Sequence, residues 1–424
     1  MINVSDLNIE EELLPLFDYS QNAFTQQVLS KWFHQLPATV EEVMERQQII
    51  NTLVNSPIEP VRYYKTDLHE VHSFLTSIHE SNLFNLSSAE LITRLLFFPT
   101  ERGKVRSGII QAIILFHKLN SGYFHRLSIM AFPASFQNVL NKILDFFGYF
   151  ELEKNRLAIQ NNKFGNSHIV HIISALKKQV ATIQPFWEQL FLFEVYLSIS
   201  IAHQKLALQF PFFTEQQFFI TDFYHPILKT PVKNSVHKTH NILLLTGPNM
   251  AGKSTLLKAI SICVYLGHLG CGVPASACEM SFFKSVSVAI NLKDDLQSGY
   301  SHFLKEIKTL KEVVLVARDK PCFAVFDELF RGTNIEDALD ILKATIQGLS
   351  KFSSSFFIIS THLHQLQQLI NPVVISPYYI ACTVNEGKPT FTYQLRQGWS
   401  TLKLGRALFE IEGLSKLLIS DDMQ

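Results

Sequence analysis

The sequence predicts an α/β domain with a mainly parallel sheet, preceded by an all-α domain. Three observations predict this. Before residue 210, apolar residues recur at the i, i+3, i+4 spacing of amphipathic helices. After residue 211, short apolar runs alternate with helical patterns, as a parallel sheet with crossover helices requires. A glycine-bearing turn at 247–254 joins one such run, Ile242-Leu243-Leu244-Leu245, to a helical stretch from Thr255 to Leu266. The boundary falls near Phe210-Pro211, giving a helical domain over 1–210 and an α/β domain over 211–424.

In the helical half, Thr39 and Glu42 are spaced as a capping box. Val40, Val43, Met44, Ile50, Leu53 and Val54 follow as one apolar stripe, and Trp187 to Leu208 reads as another helix. Such stripes are core packing and carry no function by themselves. In the α/β half, Phe218-Phe219-Ile220 is strand-like, and Tyr224-His225-Pro226 makes a turn. Phe303, Ile307, Leu310 and Val314 share one helix face. Tyr379–Val384 and Thr390–Arg396 alternate in polarity around Asn385-Glu386-Gly387-Lys388-Pro389, the pattern of a hairpin.

Gly247-Pro248-Asn249-Met250-Ala251-Gly252-Lys253-Ser254 is a G-x-x-x-x-G-K-S string between a strand and a helix, followed by Thr255. Backbone N–H groups of such a loop surround phosphate oxygens, and the helix N-terminus adds positive potential. Lys253 would reach the β- and γ-phosphates, and the Ser254 hydroxyl would ligate Mg²⁺. Gly247 to Thr255 are therefore the expected nucleotide-binding residues, with ATP and Mg²⁺ as the expected ligands. The bland alternative is a glycine turn without a ligand.

Hydrolysis also needs a carboxylate for Mg²⁺ and a base for water. Cys322-Phe323-Ala324-Val325-Phe326 reads as a buried strand that ends in Asp327-Glu328. Its carboxyl end is where open α/β sheets bind ligands. Asp327 would hold Mg²⁺ and Glu328 would polarise water. A third run, Phe356-Phe357-Ile358-Ile359-Ser360, leads to Thr361-His362. His362 could sense the γ-phosphate, or serve as a structural histidine. The segment 294–303 places Ser298-Gly299-Tyr300-Ser301 before a helix, an anion-binding end that suits a nucleotide held by a second subunit, or an ordinary cap.

Lys+Arg and Asp+Glu balance at 37 each, so no basic excess marks the chain as a dedicated DNA binder. The best local candidates are Arg102, Lys104 and Arg106, in a glycine-containing loop, and Lys177-Lys178; a solvated face is the competing account for both. The 47% hydrophobic content and 35 Phe predict well-filled cores. No apolar run approaches the ~18 residues of a spanning helix. The start shows no signal-peptide pattern, and five Cys lack metal spacing, which predicts a reducing cytoplasm and no membrane.

These residues together resemble the ATPase domain of the MutS family of DNA mismatch-repair proteins. Thr246 to Thr255 looks like the family's own phosphate loop. Asp327-Glu328-Leu329 with Arg331-Gly332-Thr333, and Ser360-Thr361-His362-Leu363-His364, resemble its Mg²⁺/base and histidine motifs. Asp294 to Glu306 resembles its signature helix, in which Ser301 would reach across a dimer. Tyr224 to Leu228, and Phe391 to Leu395 with Gly398, resemble its flanking turns and strand. Residues 18–56 resemble, more weakly, its helical core and lever.

The resemblance implies an ABC-like P-loop ATPase domain, probed by catalytic Glu328, His362 and Lys253, preceded by a core/lever domain. It implies a bacterial cytoplasmic homodimer paired through its ATPase domains, acting on duplex or branched DNA with repair or recombination proteins. Four departures stand out. Phe330 replaces a usual Gly, and Asn334-Ile335-Glu336 replaces a Ser/Thr-rich loop. Pro231 to Asn241 lacks an aromatic residue where the family stacks adenine. The helical core starts within the first 20 residues, so no mismatch-wedge domain is expected, and residues 120–185 leave room for at most a vestigial clamp. The strings Phe186-Trp187-Glu188 and Phe213-Thr214-Glu215 mimic the wedge motif by chance.

Two functions from different classes remain. One is a MutS-like ATPase that grips DNA in mismatch repair or recombination control. The other is an ATP-gated dimerising interaction module that does not itself touch DNA. A transporter-type ATPase head fits less well, given the Gly-Pro-Asn-Met loop and the long helical half.

Overall fold

Buried apolar runs set the sheet at the centre of the α/β unit. The structure is a computed structural model, and it describes every residue except 1, 57, 59, 79–81, 128–129, 216, 249–250, 291–301, 386–387, 401–408 and 420–424. The chain divides into two compact units, residues 1–15, 36–44 and 205–424, and residues 16–35 and 45–204.

The first unit holds eleven strands among the described residues: β1 (Ile2–Asn3), β2 (Phe212–Phe213), β3 (Phe219–Phe223), β4 (Asn234–His237), β5 (Ile242–Thr246), β6 (Ala277–Met280), β7 (Ser285–Ala289), β8 (Cys322–Phe326), β9 (Phe356–Thr361), β10 (Ser376–Asn385) and β11 (Lys388–Gln397). Seven form one sheet in the order β1-β7-β8-β9-β5-β10-β11. All pairs in it are parallel except β10 with β11, the expected hairpin. β5, β7, β8 and β9 are buried along their whole lengths, as strands covered on both faces must be. β2, β6, β3 and β4 form a second, smaller sheet. The sheet register places Thr246 beside Thr361, and Phe326 beside Ile359. The next residues, Gly247, Asp327 and His362, therefore leave neighbouring strands at one carboxyl edge.

The expectation of an all-α segment over 1–210 needs correction. Ile2 and Asn3 pair with Val286 and Ser287 of β7, so the first residues extend the sheet. Asp6 then accepts the Ile290 N–H at 2.7 Å. A two-residue strand carries no periodicity, and its pairing is decided by a segment nearly 300 residues away. The helix Val40–Val54 starts where the capping residues predict, but the bonds are offset. Thr39 Oγ accepts from Glu42 N at 3.3 Å, while the Glu42 carboxylate takes Ala38 N at 2.8 Å. Met44 is exposed, so the buried stripe runs through Val43, Ile49, Ile50 and Leu53 instead.

His268, on the helix Lys253–Leu269, packs inside the α/β unit with both ring nitrogens engaged. Nδ1 donates to the Val264 carbonyl at 2.8 Å, and Nε2 accepts from Phe283 N at 2.8 Å. That arrangement admits only the neutral ring, and burial pushes its pKa down to about 4. A depressed folded value gives stability that is complete above the ordinary histidine value and lost as pH falls through the folded one. The α/β unit should therefore unfold at lower urea as pH drops from about 6.5 toward about 4. A His268→Gln variant with the same steep loss would sink this assignment.

The second unit is helical. Its core is a cluster of aromatic rings contributed by the helices Pro99–Leu119, Ala134–Gly148 and Ile183–Lys205. Phe146 stacks on Phe186 at 4.0 Å, with Phe116, Phe147, Phe150 and Trp187 around them. Phe186 and Trp187 are thus core residues. Arg102, Lys104 and Arg106 lie on the helix Pro99–Leu119 rather than in a loop, because Gly103 is tolerated one turn from a helix start. Lys177 is engaged by the Leu86 carbonyl and lies 6.0 Å from the Phe84 ring, so it is tied down locally. Among the described residues, no helix is long and apolar enough to cross a membrane.

Candidate active site

β5 delivers the chain to Gly247 at the carboxyl edge of the sheet. Gly247 (φ 149°) and Gly252 (φ 88°) take backbone angles that disfavour a side chain. A Cβ on Gly252 would also stand 3.1 Å from the Tyr393 ring. Gly252 caps the helix Lys253–Leu269 in a left-handed conformation. Pro248 and Ala251 complete the described part of the loop, with Ala251 buried; Asn249 and Met250 lie outside the described residues.

Lys253 is buried, and its Nζ donates to the Gly247 carbonyl at 2.8 Å. The same ammonium stands 3.3 Å from Glu328 Oε1. Ser254 Oγ donates to Asp327 Oδ2 at 2.5 Å, so the two residues expected to ligate Mg²⁺ meet across a gap of 73 positions. Asp327 is held by its own N–H bond to the Ala289 carbonyl at 3.0 Å. Glu328 is largely buried and its second oxygen lies 3.5 Å from Arg331 Nη1. His362 leaves β9 at the same edge but is exposed, and among the described residues its ring has no hydrogen-bond or ion-pair partner. Ser301 lies outside the described residues, and the helix His302–Asp319 begins immediately after it.

Sequence reasoning missed three contributors. Ser360 hydrogen-bonds to Asp327 Oδ1 and accepts Glu328 N at 2.9 Å, so one hydroxyl orients both acids. A hydroxyl ending the apolar run of β9 was the available signal. The other two are Tyr224 and Tyr393, which line a cavity of about 300 Å³ together with Val232, Asn234, Gly252 and Thr255. Both rings lie outside 231–241, one a few residues before it and the other on β11. Asn234, opposite Phe223 in the smaller sheet, holds β11: its Nδ2 donates to the Tyr393 carbonyl at 3.0 Å and its Oδ1 accepts Leu395 N at 2.7 Å. His225 also lines the cavity, and burial lowers its pKa despite Glu12 at 4.0 Å. Glu12 is itself held by Asn8 at 2.6 Å and lies 3.7 Å from Lys258.

The departures after Asp327 have structural content. Glu328 (φ 52°) and Phe330 (φ 68°) both adopt left-handed backbone. Such a conformation costs an L-residue roughly 1–2 kcal/mol and persists only where the surroundings enforce it. Phe330 is buried, and its N–H donates to Glu306 Oε2 at 2.7 Å. Asn334 caps the helix Ile335–Leu349 by accepting Asp337 N at 2.8 Å. The expected apolar face of the helix His302–Asp319 shifts as well: Ile307 is exposed, and Glu306, Val313 and Ala317 face inward.

The arrangement unites a glycine-shaped loop, a buried ammonium, a hydroxyl–carboxylate pair and a second carboxylate at one edge of a parallel sheet. Ser254 and Asp327 present hard oxygen donors, which suits Mg²⁺, an ion that takes few protein ligands beside phosphate and water. Residues 243–423 match the family model for MutS domain V. The chain is 24% identical over 278 residues to the DNA mismatch repair protein MutS of Oceanobacillus iheyensis, an alignment covering 63% of this chain and 31% of that protein. It is 26% identical over 332 residues to MutS of Streptococcus suis, covering 74% and 39% respectively. With MutS of Bacillus licheniformis it shares 29% over 219 residues, covering 50% and 25%. The chain thus spans between a quarter and two fifths of the length of these relatives.

Proposed function

Because the chain belongs to the MutS family through its domain V, we propose that it binds ATP with Mg²⁺ and hydrolyses it to control a mismatch-repair-related DNA transaction. The observation that carries the reading is the meeting of Ser254 with Asp327 at 2.5 Å beside the Lys253–Glu328 pair. In this reading Gly247 to Thr255 cradle the phosphates, and Lys253 exchanges its carbonyl and carboxylate partners for phosphate oxygens. Mg²⁺, held through Ser254 and Asp327, supplies charge neutralisation for the phosphoryl group. Glu328 orients water and accepts its proton. Ser360 keeps both acids in register. His362 faces the γ-phosphate edge, and Ser301 reaches a nucleotide on a second copy in a homodimer.

The cavity beside Thr255 would hold the base, with Tyr224 and Tyr393 as its aromatic walls. This answers the missing aromatic in 231–241, because stacking needs a ring at the right place and not a particular position in the sequence. Hydrolysis would switch the helical unit between two states that differ in affinity for duplex or branched DNA.

The balanced charge and the local engagement of Lys177 favour a second reading, in which the ATP switch recruits proteins instead of DNA. Fluorescence anisotropy separates the two. The protein is titrated against matched, mismatched and four-way-junction DNA without nucleotide, with ADP and with a non-hydrolysable ATP analogue, at two salt concentrations. We expect binding that depends on nucleotide and prefers one DNA form. Intact ATPase activity with no DNA binding in any state at low salt would overturn the DNA reading and leave the recruitment reading.

A further inference from the structure

The strained turn after Asp327 is clasped to the helix His302–Asp319. Phe330 inserts into the core beside Leu329, Val313 and Ala317, and its ring meets Phe303 edge-on at 6.1 Å. The Phe330 N–H goes to Glu306 Oε2, a carboxyl only 1% exposed. Gly332 lies so near the same helix that a Cβ on it would stand 3.2 Å from Phe303 Cβ. Phe303 and Glu306 are three residues apart, so one helix face makes all three contacts within its first two turns. At the other end of the turn, Glu328 reaches Lys253 of the phosphate loop.

We infer that Phe330 and Glu306 are positioning residues for Glu328, through which the start of the helix His302–Asp319 sets the hydrolytic carboxylate. Left-handed backbone at both Glu328 and Phe330 relaxes unless its surroundings over-determine it. Ser360 holds the Glu328 N–H, and the clasp holds the turn two residues later. A shift at the helix start therefore moves the turn, and the turn carries Glu328 with it. The coupling runs both ways: a ligand that draws Lys253 from Glu328 changes the load on the clasp. In its account of turnover, this inference rests on the ATPase reading above.

The test uses the full chain carrying Phe330→Gly, Glu306→Ala or Glu306→Gln. Glycine suits the backbone angle at 330, so the first variant removes the ring without adding strain. We expect Phe330→Gly and Glu306→Ala to lower kcat at least about tenfold while the ATP dissociation constant stays within about twofold. Amide hydrogen exchange should quicken in 302–306 and 328–332 and stay unchanged in β5 and β9. Glu306→Gln keeps an oxygen that can accept the Phe330 N–H, so it should restore kcat. Faster exchange with unchanged kcat would overturn the positioning role, leaving the clasp purely structural. Unchanged exchange in both segments would overturn the clasp itself. A wild-type chain that fails to hydrolyse ATP reports instead against the ATPase reading, and the exchange result then decides the clasp alone.

Discussion

Glu328→Gln should lower the rate of ATP hydrolysis by roughly 10²- to 10⁴-fold, the range of a lost general base, with ATP still bound. The amide matches the carboxylate in size, so the left-handed turn and the Ser360 bond to the residue 328 N–H have no steric reason to change. What disappears is the ability to take a proton from water, together with the ion pairs to Lys253 and Arg331. Losing the first of these pairs frees Lys253 for phosphate, so affinity should hold or rise. Single-turnover hydrolysis and equilibrium binding of a fluorescent ATP analogue separate the two quantities. Unchanged hydrolysis would remove Glu328 from the role of base. A parallel loss of binding would mean that the carboxylate builds the phosphate loop rather than acting on water.

Glu194→Ala should destabilise the helical unit by about 3–5 kcal/mol, the scale for breaking a buried charged or polar network. Glu194 is buried on the helix Ile183–Lys205 and receives Asn22 Nδ2 at 2.8 Å, Thr25 Oγ1 at 2.5 Å and Tyr63 OH at 2.7 Å. Alanine would leave those donors buried beside a cavity. Burial raises the Glu194 pKa above the ordinary glutamate value, and the three donors only partly offset it. The sign follows from linkage. A carboxyl whose folded pKa is raised contributes stability that is complete below its unfolded value and lost as pH rises through the folded one. Glu194→Gln imitates the neutral acid, so it should flatten this part of the stability–pH curve, in contrast to alanine. In a Trp399→Phe background, which removes the tryptophan of the other unit, urea unfolding followed by Trp fluorescence reads the helical unit through Trp32 and Trp187. If Glu194→Gln tracks the wild type across the alkaline limb, the carboxyl is not the titrating group.

The legible part of this molecule was contiguous. The glycine-bearing loop at 247–254, the apolar runs of β5, β8 and β9 and the acids at the end of β8 each carry their signal within about ten residues, and the β10–β11 hairpin within about twenty. Local sterics and burial on both faces leave such segments little choice. Periodicity did less well on half-buried helices. It put Met44 and Ile307 inward, although both are exposed, and it had no means to expect Glu306 or Glu194 inside. A polar residue becomes affordable in a core only when partners from other segments satisfy it, and those partners are not neighbours in sequence.

By itself, then, the sequence determined the apolar runs that became β3, β5, β8, β9 and the β10–β11 hairpin, and the chemical groups at the carboxyl edge of the sheet, while β7 within that sheet went unread. Tertiary structure alone decided that Ile2–Asn3 complete the sheet and that Ser360 serves both acids. It also decided that Tyr224 and Tyr393 wall one cavity, and that Phe330 clasps the helix His302–Asp319. The physical reason is common to all four. Strand pairing, shared hydroxyls, aromatic walls and buried carboxyls draw their free energy from contacts between distant segments, so the residues involved look ordinary until the fold brings their partners within reach.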